Sequence, residues 1–338
     1  MLDIKTCVKE IQGIDPNNIP LEIFSSDQPL ILKGVAANWP LARAGLESSS
    51  SAINYLRSFY QDKTVGTFIG LPENEGFYFY NQDMSALNYR SERMRLDEVL
   101  AQLESQLDNP KPPTFYVGST TVDVCLPGMR EQGNNIPLPF DDALISIWIG
   151  NKSRIACHYD APDNLACSVV GKRRFTLFPP EQIVNLYPGP LDFNPAGQQI
   201  SLVDFSNPDF EKFPRFREAM AAGQMANMEP GDALFIPSMW WHHVEGIGNF
   251  NVLVNYWWRT VPAFMGPAIN VLKHAMLSIR DLPEKEKMAW RALFDFYIFG
   301  DPENARENIP PAVQGVLAPM DDLRSRQLRA WLINRLNR

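Results

Sequence analysis

The chain has 338 residues, 45% of them hydrophobic and 21% charged, which excludes a disordered polypeptide and leaves room for a large core. A formal net charge of −8 excludes nucleic-acid binding through a basic surface, because phosphate recognition draws on clusters of Lys and Arg that occur here only in short runs. Residues Met1 to Asp15 mix Asp3, Lys5, Lys9 and Glu10 with apolar positions, unlike a signal peptide, and no apolar run reaches the ~18 residues of a membrane span, so a cytoplasmic protein is expected.

Pro29 to Val35, followed by Asn38-Trp39-Pro40, reads as a strand closed by a turn. Ser51 to Tyr60 reads as a short helix with Ile53, Leu56 and Tyr60 on one face. The aromatic run Phe77 to Tyr80 reads as a strand and is expected in the core. Leu96 to Leu103 reads as a second helix, with an apolar stripe of Leu96, Val99, Leu100 and Leu103. Asn109-Pro110-Lys111-Pro112-Pro113 breaks regular structure and closes an N-terminal α/β lead-in over 1–113.

Strands dominate 114–261: Phe115 to Val117, Leu144 to Ile149, Arg154 to Asp160, Cys167 to Val170, Arg174 to Phe178, Ala233 to Ile236 and Asn251 to Trp258. Short strands separated by turns, without helical periods between them, predict a mainly β fold with α additions, a double-stranded β-helix of the jelly-roll or cupin type. Glu181 to Asn227, rich in Pro, Asn and Asp and with a helical piece near Phe213 to Met220, is a long insertion of the kind that forms lids and binding loops. In 262–338 the period becomes helical. Ile269, Leu272, Met276 and Ile279 form one stripe, Met288, Leu293, Phe294 and Tyr297 another, and a last helix over Asp321 to Asn337 carries Leu328, Trp331, Leu332 and Leu336. His274, between apolar positions, reads as structural or surface.

Three of the four histidines fall in two stretches, Arg154 to Pro180 and Pro237 to Gly246. His158 and Asp160 are two apart in an expected strand, so both face the same side. A third ligand from the Trp241-His242-His243-Val244 run would give two imidazoles and one carboxylate. That set leaves coordination positions open and suits non-haem Fe(II), whereas a closed zinc site usually has four ligands with Cys among them. The four cysteines (Cys7, Cys125, Cys157, Cys167) show no metal spacing and read as reduced thiols, Cys157 as packing on the face opposite His158.

The order His158-x-Asp160, Gly171-x-Arg173-Arg174-Phe175, Leu177-Phe178-Pro179-Pro180, Val203-Asp204-Phe205, Asn207-Pro208-Asp209, Pro230-Gly231-Asp232, Trp240-Trp241-His242-His243 and Asn255-Tyr256-Trp257 resembles the JmjC/cupin-like 2-oxoglutarate oxygenases, and within them an asparaginyl hydroxylase. The resemblance implies an Fe(II)- and 2-oxoglutarate-dependent dioxygenase that uses O2, releases succinate and carbon dioxide, and hydroxylates a protein side chain or a small molecule. It carries His158, Asp160 and His242 over as iron ligands. His242 matches the first histidine of the family's Trp-His-His run, and adjacent strand residues face opposite ways. Arg173 matches the basic residue on the distal carboxylate of 2-oxoglutarate, and Tyr116 a tyrosine whose hydroxyl reaches the same group. Asn164, Asn255 and Trp257 match residues lining the iron and cosubstrate pocket, while Lys172 and Arg174 are expected in solvent. The resembling hydroxylase has Lys where this chain has Arg173, and Thr where it has Ile155. It also pairs through helices after the barrel, so a homodimer is expected. A catalytically silent cupin sensing a metal or carboxylate is the alternative, and the substrate itself is not legible.

Overall fold

Residues rich in Val, Ile, Leu and aromatics, cut into short runs by turns, build two sheets. The computed structural model describes residues 2–195 and 197–336, and divides into two compact units, Met1–Arg259 and Thr260–Arg338. Asn337, at the end of the expected last helix, lies outside the described residues.

In the first unit, a six-stranded sheet has the spatial order Thr6–Cys7, Gln224–Met228, Arg173–Phe178, Trp241–Gly246, Ser153–Tyr159, Phe77–Tyr78 among the described residues. Also among the described residues, a nine-stranded sheet runs Lys9–Ile11, Leu30–Leu32, Ala233–Ile236, Asp163–Val170, Asn251–Trp258, Leu144–Gly150, Thr114–Thr121, Thr64–Gly70, Tyr89–Arg95. The inner faces meet in a shared core. Phe175, Leu177, Ala226, Met228 and Val244 of the smaller sheet pack with Ile31, Ala166, Leu234, Ile236 and Leu253 of the larger. This is a jelly roll, mainly β, and its strands pair almost throughout antiparallel.

Each outer face is covered by helices or loops. Pro40–Glu47, Ser49–Arg57 and Leu96–Ser105 lay Leu41, Ile53, Leu56, Val99, Leu100 and Leu103 over the larger sheet. The long insertion after Phe178 covers the smaller sheet with Leu186, Val203, Phe205, Phe213 and Phe216, against Cys157, Phe178 and Trp241. Burial on that side pushes the Cys157 thiol well up from its ordinary pKa, and all four cysteines are free.

Some elements differ from the sequence-based expectation. Thr64–Gly70, Tyr89–Arg95 and Gln224–Met228 are strands without an expected counterpart. Tyr89–Arg95 reads Tyr-Arg-Ser-Glu-Arg-Met-Arg because it is an edge strand, mostly exposed, where charged side chains discourage further pairing. The aromatic run forms a strand only over Phe77–Tyr78, parallel to Ser153–Tyr159 at the rim of the smaller sheet. As expected, the run is core: Tyr80 is buried in a cluster with Phe77 and Phe79 packed against it, while Tyr78, also buried, lines the cavity between the sheets.

The second unit holds the helices Ile269–Ser278, Glu284–Tyr297 and Asp322–Leu336. Many of its apolar side chains are open to solvent: Leu272, Trp290, Leu293, Tyr297, Trp331 and Leu336 are each exposed, as is His274, while Phe294, Leu328 and Leu332 are half-buried. No helix among the described residues is long and apolar enough to cross a membrane.

Candidate functional site

Strand period places the chemistry. His242 pairs directly with His158 across the ladder between Trp241–Gly246 and Ser153–Tyr159, so the two imidazoles share the inner face, with ring centroids 4.4 Å apart. Asp160 follows the end of its strand and brings Oδ2 to 3.7 Å from His242 Nε2. The ligand atoms of His158, Asp160 and His242 all lie within 4.8 Å of one another, the one such cluster of three or more among the described residues. Each ring is oriented from behind: the Ala156 carbonyl sits 2.8 Å from His158 Nδ1, and the Trp240 carbonyl 3.0 Å from His242 Nδ1. A carbonyl at Nδ1 accepts a hydrogen bond from the Nδ1–H, which keeps the proton on that nitrogen and leaves Nε2 as the metal donor. Burial, with His158 beside it, pushes the His242 pKa down to about 4, so the ring is neutral at physiological pH as a ligand must be. The donor set therefore fits a divalent metal with open positions, Fe(II) among them.

The cavity at this cluster has a volume of about 420 Å³ and is lined from both sheets. Along Arg173–Phe178, Leu177 pairs with His242 and Arg173 with Gly246, four residues further on, or about 13 Å along the strand. Arg173 is 1% exposed and lines the same cavity, yet among the described residues its Nε, Nη1 and Nη2 have no hydrogen-bond partner. Burial lowers its pKa, and the Tyr116 hydroxyl beside it opposes that shift. The Tyr116 hydroxyl itself is pushed up to about 12 by burial, against the pull of Arg173. Tyr116 has room because it pairs with Gly150, where a Cβ would lie 2.9 Å from the tyrosine ring. A guanidinium without an acceptor inside a protein is costly, and a carboxylate is its natural complement.

Asn164 pairs with Trp257, and Ala166 with Asn255, so all four face inward together. Trp148 Nε1 donates to Asn255 Oδ1 at 2.8 Å, and Asn255 Nδ2 donates to Asn164 Oδ1 at 3.3 Å, which orders the amides on the cavity wall. Trp257 Nε1 is buried with no hydrogen-bond partner among the described residues. Ile155 lines the cavity where a Thr would offer a hydroxyl. Sequence reasoning missed Trp148, whose only signal was an inward position in an expected strand, and Gln198, which comes from the insertion and donates to Asp160 Oδ1 at 3.5 Å. Phe68, Tyr78 and Tyr89 also complete the wall. Lys172 is exposed and paired with Glu229, whereas Arg174 is only partly in solvent and pairs with Glu245 on the outer face. Strand alternation sent both away from Arg173, but the insertion covers the side that Arg174 takes.

His243 faces outward, 3% exposed, with its ring centroid 4.9 Å from that of Phe205. Burial pushes its pKa down from 6.5 to about 3, despite the nearby Ile155 carbonyl. The unfolded chain then binds a proton that the folded one refuses between those values, so stability falls as pH drops from about 6.5 toward 3. His243→Phe, which keeps the contact with Phe205, is expected to flatten the loss of urea midpoint on acidification through this range. His242 acts in the same sense and remains. An unchanged slope would assign the acid sensitivity to other groups.

Comparison with known proteins places this geometry. A family model described as a cupin-like domain matches residues 16–264. HSPB1-associated protein 1 of Bos taurus is 38% identical over 114 residues, 33% of this chain and 23% of that protein. The tRNA wybutosine-synthesizing protein 5 of Gallus gallus is 33% identical over 155 residues, 41% of this chain and 43% of that protein. JmjC domain-containing protein D of Dictyostelium discoideum is 26% identical over 253 residues, 68% of this chain and 52% of that protein. The chain thus spans about half or less of the length of these curated relatives. With the family match running across most of the jelly roll and both stretches that hold the histidine–carboxylate cluster, the chain belongs to the cupin-like domain family.

Proposed function

We propose that the protein is an Fe(II)- and 2-oxoglutarate-dependent oxygenase that hydroxylates a protein side chain or a small molecule as 2-oxoglutarate is converted to succinate. The observation that carries this reading is a single cavity with an open three-ligand cluster at one place and, further along the same sheet, a buried guanidinium that has no hydrogen-bond partner among the described residues. A metal centre alone does not call for that Arg173. Relatives named as a wybutosine-synthesizing protein and a JmjC domain-containing protein support an oxygenase.

In this reading His158, Asp160 and His242 hold Fe(II), which when bound supplies the redox chemistry with O2. Arg173 and Tyr116 hold the distal carboxylate of 2-oxoglutarate, the planar fork suiting a bidentate contact. Asn164, Asn255 and Trp257 fix its position, while Ile155, Val244 and Leu253 keep water out. The free thiols suit a reducing, cytoplasmic setting. The test is succinate formation with Fe(II), 2-oxoglutarate and ascorbate against peptide and metabolite pools. Substrate-dependent succinate supports the oxygenase. Metal and 2-oxoglutarate binding without turnover on any pool would favour a sensor.

We also propose a homodimer formed through the C-terminal helices. Trp331 is 54% and Leu336 55% exposed, beside a half-buried Leu332, and apolar surface of this extent is usually covered. A two-fold contact is the commonest way to cover it. Light scattering should give a dimer at micromolar concentration for the wild type and a monomer for Leu332→Arg. A monomeric wild type, or a fully dimeric variant, removes the proposal.

A further inference from the structure

The ligand cluster is assembled from two segments that lie far apart in sequence. His158 belongs to the strand Ser153–Tyr159, His242 to Trp241–Gly246, and their ladder ends at the pair Tyr159–Trp241. Asp160 lies beyond that last pair, so strand pairing alone does not hold its carboxylate against His242.

Three hydrogen bonds continue where the ladder stops. The Met239 N–H donates to the Asp160 carbonyl at 2.8 Å. The Ser238 hydroxyl donates to the Ala161 carbonyl at 2.7 Å, and the Ser238 N–H to Asp163 Oδ1 at 2.9 Å. The segment making these bonds is a β-turn, closed by the Trp240 N–H on the Pro237 carbonyl at 3.3 Å, with Met239 at φ +67°. A left-handed conformation is unfavourable for Met, and this side chain is 41% exposed and so gains little from packing. The turn's own bonds hold it there. They also place the Trp240 carbonyl that orients His242 Nδ1. Neither Ser238 nor Asp163 lines the cavity or belongs to the ligand cluster.

We propose that Asp163 and Ser238 are positioning residues that lock the turn carrying Asp160 to the turn preceding His242, and thereby set the spacing of the three ligands before a metal arrives. The inference rests on the metal-site reading above. Ordering a ligand in advance removes a cost that metal binding would otherwise meet, and loss of such outer partners lowers metal affinity roughly tenfold to hundredfold.

The experiment is anaerobic titration of the full chain with Co(II), followed by visible absorption, alongside melting temperatures of the metal-free proteins. Asp163→Ala and Ser238→Ala are expected to bind roughly tenfold to hundredfold more weakly, with an altered Co(II) spectrum and a metal-free melting temperature close to the wild type. Asp163→Asn keeps an acceptor oxygen and should restore wild-type affinity. Ser238 is exposed, so Ser238→Ala decides the matter if Asp163→Ala does not fold. Wild-type affinity and spectrum in both alanine variants would overturn the proposal. So would an asparagine variant as weak as the alanine one, or an affinity loss that merely tracks a lowered melting temperature. A wild type that takes up neither Co(II) nor Fe(II) would remove the metal reading and this inference together, whereas a metal-binding wild type with unaffected variants removes only the positioning role.

Discussion

His158→Ala, Asp160→Ala and His242→Ala are each expected to lose stoichiometric Fe(II) binding, while His243→Ala retains it. The three share the inner face with their ligand atoms within 4.8 Å of one another. His243 is one residue along the strand, and its ring packs on Phe205 of the insertion, on the other side of the sheet. With only three protein ligands, losing any one leaves two, and the cost should exceed the roughly tenfold to hundredfold that removing an outer-sphere partner carries. Anaerobic Fe(II) titration of the four variants is the measurement. Binding retained by His242→Ala and lost by His243→Ala would reverse the assignment of the third ligand.

The second large effect concerns Arg173. Its guanidinium is buried, lacks an acceptor and lines the cavity that holds the ligand cluster, so a dianionic cosubstrate would neutralise a charge that the protein leaves unpaired. Arg173→Met should therefore move two observables in opposite directions. Affinity for 2-oxoglutarate falls by the ~1.5–3 kcal/mol of a charged hydrogen bond, roughly tenfold to hundredfold. The melting temperature of the ligand-free protein rises, because an apolar side chain of similar length removes the buried charge. Calorimetric titration with 2-oxoglutarate in the presence of Co(II), paired with thermal unfolding, reads both. Unchanged affinity would mean that another group holds the acid. Lys172 is exposed and already paired with Glu229, and Arg174 faces outward, so neither offers an evident replacement.

Much of the jelly roll could be read locally. Ala233–Ile236 and Asn251–Trp258 are strands with the same bounds as the sequence pattern indicates, because buried runs between turn residues carry their own period. Tyr89–Arg95 could not be read this way, since an edge strand's charged side chains look like a loop until the neighbouring Thr64–Gly70 is in place. Within the candidate site, His158-x-Asp160 declares its shared face from spacing alone. By contrast, the hydrogen bond from Trp148 to Asn255, the approach of Gln198 and the ties between residues 160–163 and 237–240 join segments distant along the chain. Arg173 shows the boundary most clearly. Alternation in its strand separates it from Lys172 and Arg174, but whether its face meets solvent, a carboxylate or an empty acceptor position depends on the sheet opposite.

The sequence by itself determined the strand periods, the turns and the relative facing of neighbouring side chains, because those follow from backbone geometry over a few residues. Only the tertiary structure decided that the two histidine stretches pair in register, that Tyr78 lines a cavity and that the Arg173 guanidinium has no hydrogen-bond partner among the described residues, because pairing and burial depend on which distant segments pack together.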